Sequence, residues 1–169
     1  METVLLVDGD IIAYRTAAAS EVRSIKVTHN PSGVEKSFKT RTEFKALLKA
    51  KDKLDTLDRY TVEDVQTPSP VSHCLHSINT TLRSLENAIF PDKTEIWLSG
   101  KDDNFRSKLL LPSEYKGSRS TMLRPLLLNQ AKEYLLDNHE GVRAVKIEAD
   151  DALSIRAFEE IAKGNRAVS

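Results

Sequence analysis

Three groups of acidic residues hold most of the chemistry in this 169-residue chain. Asp8 and Asp10 follow the apolar run Thr3–Val7, Asp102 and Asp103 follow Ile96–Leu98, and Glu148, Asp150 and Asp151 follow Val142–Ile147. Each group stands where a buried strand is expected to end. In an open parallel sheet the strand C-termini share one edge, and ligands bind along it. Carboxylates gathered there repel one another unless they are protonated or a cation sits among them. An all-oxygen donor set suits Mg²⁺ or Mn²⁺. The chemistry this pattern points to is metal-dependent and acts on phosphates.

Each group also has a plainer reading. Asp8-Gly9-Asp10 is equally a strand–turn–helix junction, with Gly9 relieving the backbone and Asp10 as N-cap. Helix N-termini welcome negative charge, so one or two of Glu148, Asp150 and Asp151 are explained by the helix that follows them. Three within four residues are harder to explain that way. Tyr115-Lys116-Gly117-Ser118-Arg119 is a compact basic motif. Its Lys and Arg, three apart, could grip one phosphate, and Gly117 would let the backbone approach. Taken alone, those five residues are equally an exposed loop. His73, Cys74 and His76 lack a second ligand pair at zinc spacing and read as ordinary helix residues. Lys45, Lys49 and Lys53 have helical spacing and read as a solvated face; they could touch a nucleic-acid backbone, but the charge run alone does not show it. A phosphatase built on Asp8-Gly9-Asp10 is disfavoured, because Ile12 stands where a small hydroxyl residue is usual.

The elements that must position these residues follow from periodicity. Val4–Val7 is continuously apolar, as in a strand covered on both faces. A helix is expected over Asp10–Ser20. Ile25–His29 and Val34–Lys39 flank the turn sequence Asn30-Pro31-Ser32-Gly33 and predict a hairpin. Phe44–Lys53 is helix-compatible, and Asp55–Pro70 reads as a linker or mobile loop. In Val71–Ile89, Leu75, Ile78, Leu82, Leu85 and Ile89 share one helical face, and Pro91 stops the helix. A second core strand is expected at Glu95–Leu98, a long polar connection at Ser99–Thr121, and a helix at Pro125–Asp137. A third strand at Val142–Ile147 and a helix at Asp150–Lys163 complete the order, with Leu153, Ala157 and Ile161 on one face and Gly164 as the stop. Ala167–Ser169 begins a fourth strand. This alternation predicts an α/β fold with a parallel sheet flanked by helices, one domain over 1–169 with an insert at 21–70.

Bulk properties narrow the classes. Hydrophobic residues make up 40% of the chain and charged residues 30%, as in a globular protein. No apolar run approaches the roughly 18 residues that span a bilayer, and no cleavage-type signal precedes the first strand. Cys74 is the only cysteine, so no disulfide framework is expected, and a cytoplasmic location is the default. Net charge is zero, which argues against a polybasic coat. Between Lys101 and Arg124, however, six basic residues face three acidic ones. A small basic patch beside an acidic pocket would grip a nucleic-acid backbone while the pocket holds the metal.

Together the motifs resemble the 5′→3′ exonuclease and flap endonuclease family, especially its phage members. The matching residues are Val7-Asp8-Gly9; Asn104-Phe105-Arg106 followed by Tyr115-Lys116-Gly117-Ser118-Arg119; Arg124-Pro125; and Glu148-Ala149-Asp150-Asp151. They cover most of 1–20 and 95–163, and 21–70 carries no such motif. The resemblance implies a PIN-like (Rossmann-like) domain, in which the hairpin near 25–39 would be an insertion, with a carboxylate pocket for two Mg²⁺ ions. It implies a metal-dependent 5′-nuclease that cleaves phosphodiesters in 5′-ended, flapped or single-stranded DNA, or in RNA of an RNA–DNA hybrid. The setting would be phage DNA replication or nucleotide recycling. By carry-over, Asp8, Glu148, Asp150 and Asp151 hold metal, with Asp103 a weaker candidate. Lys116 and Arg119 act at the scissile phosphate with Asp8 and Asp150. Arg106, Tyr115, Lys116, Arg119 and Arg124 contact DNA.

Two departures stand out. The family's strand-end aspartate falls on Ser99. The family also continues into a strand bearing an Asp-x-Asp pair, about where this sequence ends at Ser169. A fragment, one piece of a split gene and a short relative are three open explanations. The alternative function is a truncated, catalytically weak or inactive PIN-like module that binds DNA or a partner. A protein partner or homodimer is expected to cover the unfinished sheet edge.

Overall fold

The computed structural model describes residues 1–100 and 123–169. Two compact units make up the described chain: Met1–Ser20 with Pro70–Ser169, and Glu21–Ser69.

The larger unit is α/β. Its sheet has four strands, β1 (Thr3–Asp8), β5 (Lys93–Leu98), β6 (Val142–Arg143) and β7 (Arg166–Val168), in the order β6-β5-β1-β7. Each adjacent pair runs parallel. Because β1 is central, all four residues Val4–Val7 are buried. Their side chains alternate between two cores. Leu5 and Val7 join Ile96, Leu98 and residues of α1 (Gly9–Ala19), α3 (Val71–Ile89) and α4 (Leu128–Asn138) on one face. Val4 and Leu6 meet Leu153 of α5 (Ala149–Ala162) on the other, with Trp97 beside them. Helices thus cover both faces of a parallel sheet, as continuous apolar strands require.

Several boundaries differ from expectation. The third strand is only Val142–Arg143, not Val142–Ile147. Lys146 takes a left-handed conformation (φ 60°) and Val145 is 71% exposed, so the apolar run turns away from the sheet instead of continuing it. Helix α4 starts at Leu128, with Pro125 ahead of it and outside the first turn. Ile161 is exposed and does not share the buried face of Leu153.

The smaller unit is an antiparallel sheet ordered β3-β2-β4, with β2 Glu21–His29, β3 Val34–Phe38 and β4 Tyr60–Pro68. Its core is Ile25 and Val27 of β2 with Phe44 and Leu48 of α2 (Arg41–Ala50). Thr40 caps α2 by accepting a hydrogen bond from the Glu43 amide at 3.1 Å. Short 3-10 turns occupy Leu54–Arg59. The expected linker at Asp55–Pro70 is therefore largely a strand, which pairs with all of β2 from Glu21↔Pro68 to His29↔Tyr60. The two strands of the expected hairpin are two of three. Strand β4 lies at the sheet edge and is mostly polar, so its apolar pattern is weak although its backbone pairing is complete.

Candidate carboxylate edge

Strand β1 ends at Asp8, level with Trp97 of β5. Asp8, not Asp10, is the N-cap of α1: its Oδ1 accepts from the Ile11 amide at 3.1 Å. The junction between them is tight. A Cβ on Gly9 would lie 2.9 Å from Leu98 Cγ and 3.0 Å from both Ile96 Cγ2 and the Trp97 carbonyl oxygen. Only glycine lets the helix start this close to β5, and that closeness brings Asp8 and Asp10 to the strand ends.

The two carboxylates have opposite environments. Burial holds the Asp8 carboxyl above its ordinary pKa, with the charges of Asp10 and Asp150 adding to the rise against the pull of the Ile11 amide. Burial raises Asp10 too, but its contacts with Lys132 and Ser99 outweigh this and hold it below the ordinary value. Lys132 Nζ of α4 lies 2.6 Å from Asp10 Oδ1, and the Ser99 amide donates to Asp10 Oδ2 at 3.0 Å. Both oxygens of Asp10 are thus engaged.

Ser99 also ties in the third acidic group. Its Oγ accepts from the Ala149 amide at 3.1 Å, at the first residue of α5. Glu148 is the N-cap residue of α5, and Asp150 and Asp151 lie in its first turn. Asp150 is exposed and Asp151 half-buried, and Asp150 Oδ1 accepts from the Asp151 amide at 3.0 Å. One serine at the end of β5 therefore holds both the start of α1, through Asp10, and the start of α5.

The structure brings Asp150 within electrostatic reach of Asp8, although they lie 142 positions apart in the sequence. Arg124 is exposed and its guanidinium lies 3.4 Å from Asn129 Oδ1. Asp102, Asp103, Arg106, Tyr115, Lys116 and Arg119 lie outside the described residues. Among the described residues, no three His, Cys, Asp or Glu side chains are grouped so as to hold a metal ion. Cys74 is fully buried among core side chains. No helix among the described residues is long and apolar enough to cross a membrane.

Sequence reasoning missed Lys132 entirely. A helical lysine carries no signal that it faces a particular aspartate. Ser99 was visible as a departure from the family pattern, but its role as a tie between α1 and α5 was not. Compared with protein-family models, curated proteins and solved structures, the chain matches none.

Proposed function

We propose that this chain is the PIN-like core of a metal-dependent 5′-nuclease that hydrolyses phosphodiesters in DNA. The observation that carries this reading is the convergence of Asp8, Asp10 and Asp150 at one strand edge, where burial and then the charges of Asp10 and Asp150 raise the Asp8 carboxyl. Folds keep like charges together mainly where a ligand offsets the repulsion. The donor set fits a hard divalent cation in kind, since every candidate ligand is a carboxylate.

In this reading Asp8, Glu148, Asp150 and Asp151 hold Mg²⁺ or Mn²⁺, with Asp103 a further candidate. When bound, such an ion polarises the scissile phosphate and makes water a better nucleophile. Asp8 is held in place by its cap hydrogen bond to Ile11. Asp150 is placed by the α5 start that Ser99 anchors. Lys116 and Arg119 engage the scissile phosphate and offset the charge that develops on it. Arg106, Tyr115 and Arg124 bind the strand.

A second reading draws on a specific observation. Asp10 is already neutralised by Lys132, and the described residues show no three-ligand metal group. A module that binds DNA or a protein partner without cleaving is consistent with both. Incubating the whole chain with a labelled 5′-flapped duplex in Mg²⁺ and in Mn²⁺ separates the two. The nuclease reading expects cleavage that Asp8→Asn and Asp150→Asn each abolish. Binding without product at high protein concentration in Mn²⁺ selects the second reading. Undiminished cleavage by both variants rejects the site.

A further inference from the structure

We infer that the basic segment at α2 of the smaller unit, with Lys39 just ahead of the helix and Lys45 and Lys49 on it, is a nucleic-acid backbone interface built from none of the carboxylate-edge residues. Residues 39–53 hold six cations (Lys39, Arg41, Lys45, Lys49, Lys51 and Lys53) and only two acids, Glu43 and Asp52. The chain as a whole is neutral, so this surplus is a local feature.

The plainer explanations cover only part of it. Arg41 is neutralised by Asp64 in a two-pronged pair. Lys49 and Lys51, at the helix C-terminus, are favoured by its dipole. Lys45 sits mid-helix, where the dipole gives it nothing, and has cations four residues away on both sides. Like charges at that spacing are destabilising. Among the described residues, no ion pair engages Lys39, Lys45 or Lys49, and all three are exposed.

The helix geometry makes an array of them. Arg41, Lys45 and Lys49 step by four along one flank, about 6 Å of axis per step. The apolar face is used up elsewhere, since Phe44 and Leu48 are each 3% exposed within the core of this unit. Leu47 lies on the opposite flank beside Glu43. On the side of this row away from the core stand Thr42, Ala46 and Ala50, all small. A membrane-surface helix needs bulky apolar residues next to its cations, and this flank offers none. A linear row of ammonium groups with small residues beside them suits a phosphate backbone, which is gripped by charge alone. The choice of nucleic acid as the polyanion rests on the nuclease reading. The basic flank itself does not depend on the carboxylates.

The test measures binding of a fluorescent 5′-flapped DNA to the whole chain by anisotropy, in EDTA so that no cleavage intervenes, over a range of salt. The triple variant Lys39→Gln, Lys45→Gln, Lys49→Gln is expected to lose roughly tenfold or more in affinity, and its log-affinity against log-salt slope to flatten by about 2, at about 0.7 per lost single-strand phosphate contact. The matching Lys→Arg triple variant keeps the charge and should bind like the wild type, with thermal unfolding reporting that all three proteins are folded. Cleavage of the same flap by the wild type in Mn²⁺ is measured in parallel, so failure of the nuclease site and failure of this surface are read separately. An unchanged affinity and slope in the Gln variant would overturn the inference. So would a loss confined to binding of phosphatidylserine vesicles or polyglutamate with DNA binding intact.

Discussion

On the α5 side of the main sheet, Glu95 of β5 is met by cations. Arg156 Nε donates to its Oε2 at 2.9 Å and Nη2 to its Oε1 at 2.8 Å. Lys93 and the Trp97 indole add to this, and Arg156 also pairs with Glu159 and Glu160. These hydrogen bonds, that of Arg156 the strongest, outweigh burial and hold the Glu95 carboxyl down at about 2. At the C-terminal edge of the same strands, Asp8 is pushed the other way, by burial first and then by the charges of Asp10 and Asp150. Both regions concentrate charge at the margin of one core. In one the charges are matched within the chain. In the other Lys132 pairs with Asp10, and the charges of Asp10 and Asp150 add to the rise at Asp8. Matched charge serves the fold itself, and like charge gathered at a strand edge is what the proposed metal site would use.

The contrast can be broken from either side. Arg156→Met should have the largest effect on stability, because it removes the main partner of Glu95 and one of the partners of Glu160, both little exposed. Its thermal midpoint should fall by several degrees. Glu95 also sets a pH window. Its folded pKa is depressed, so its contribution is complete above about pH 4.5, the ordinary value, and fades as pH falls toward 2. The Arg156→Met variant should lose much of that acid dependence, which denaturant unfolding at pH 2–5 would measure. Lys132→Met should cost about 2 kcal/mol, between surface-pair and buried-pair values, because Asp10 and its partner are only partly exposed. Adding Asp10→Asn should restore part of that loss. Ser99→Ala removes one hydrogen bond to the Ala149 amide and should cost about 1 kcal/mol. Its unfolding curve should shift the least, while any cleavage activity should fall more than stability does, because the first turn of α5 would be less firmly placed.

How much of this was legible beforehand depended on whether the signal is local. The buried run Val4–Val7 and the helix Val71–Ile89 were readable because their burial pattern repeats along the chain itself. The α/β order with a parallel sheet followed from them. Strand β4 was read as a linker because Tyr60–Pro68 is polar, and its order comes from pairing with a strand about 40 residues away. The run Val142–Ile147 misled in the opposite sense, since pairing stops at Arg143, Val145 is 71% exposed and Lys146 turns left-handed. At the site, the acidic groups stood out by type and spacing. Which aspartate caps α1 did not, because both Asp8 and Asp10 have the right chemistry. The Lys132–Asp10 pair joins residues 122 positions apart in the sequence, and no pattern within either helix encodes it.

The proposal most exposed to test is that Asp8 and Asp150 together hold a divalent cation. Thermal unfolding of the wild type, Asp8→Asn and Asp150→Asn, each in EDTA and across a Mn²⁺ titration, tests it most directly. Asparagine caps a helix as well as aspartate does, so Asp8→Asn should melt above the wild type in EDTA. The wild type should then gain stability with rising Mn²⁺, and neither variant should follow it. An Asp8→Asn protein that melts no higher in EDTA, together with a Mn²⁺ response identical in all three proteins, would contradict the account.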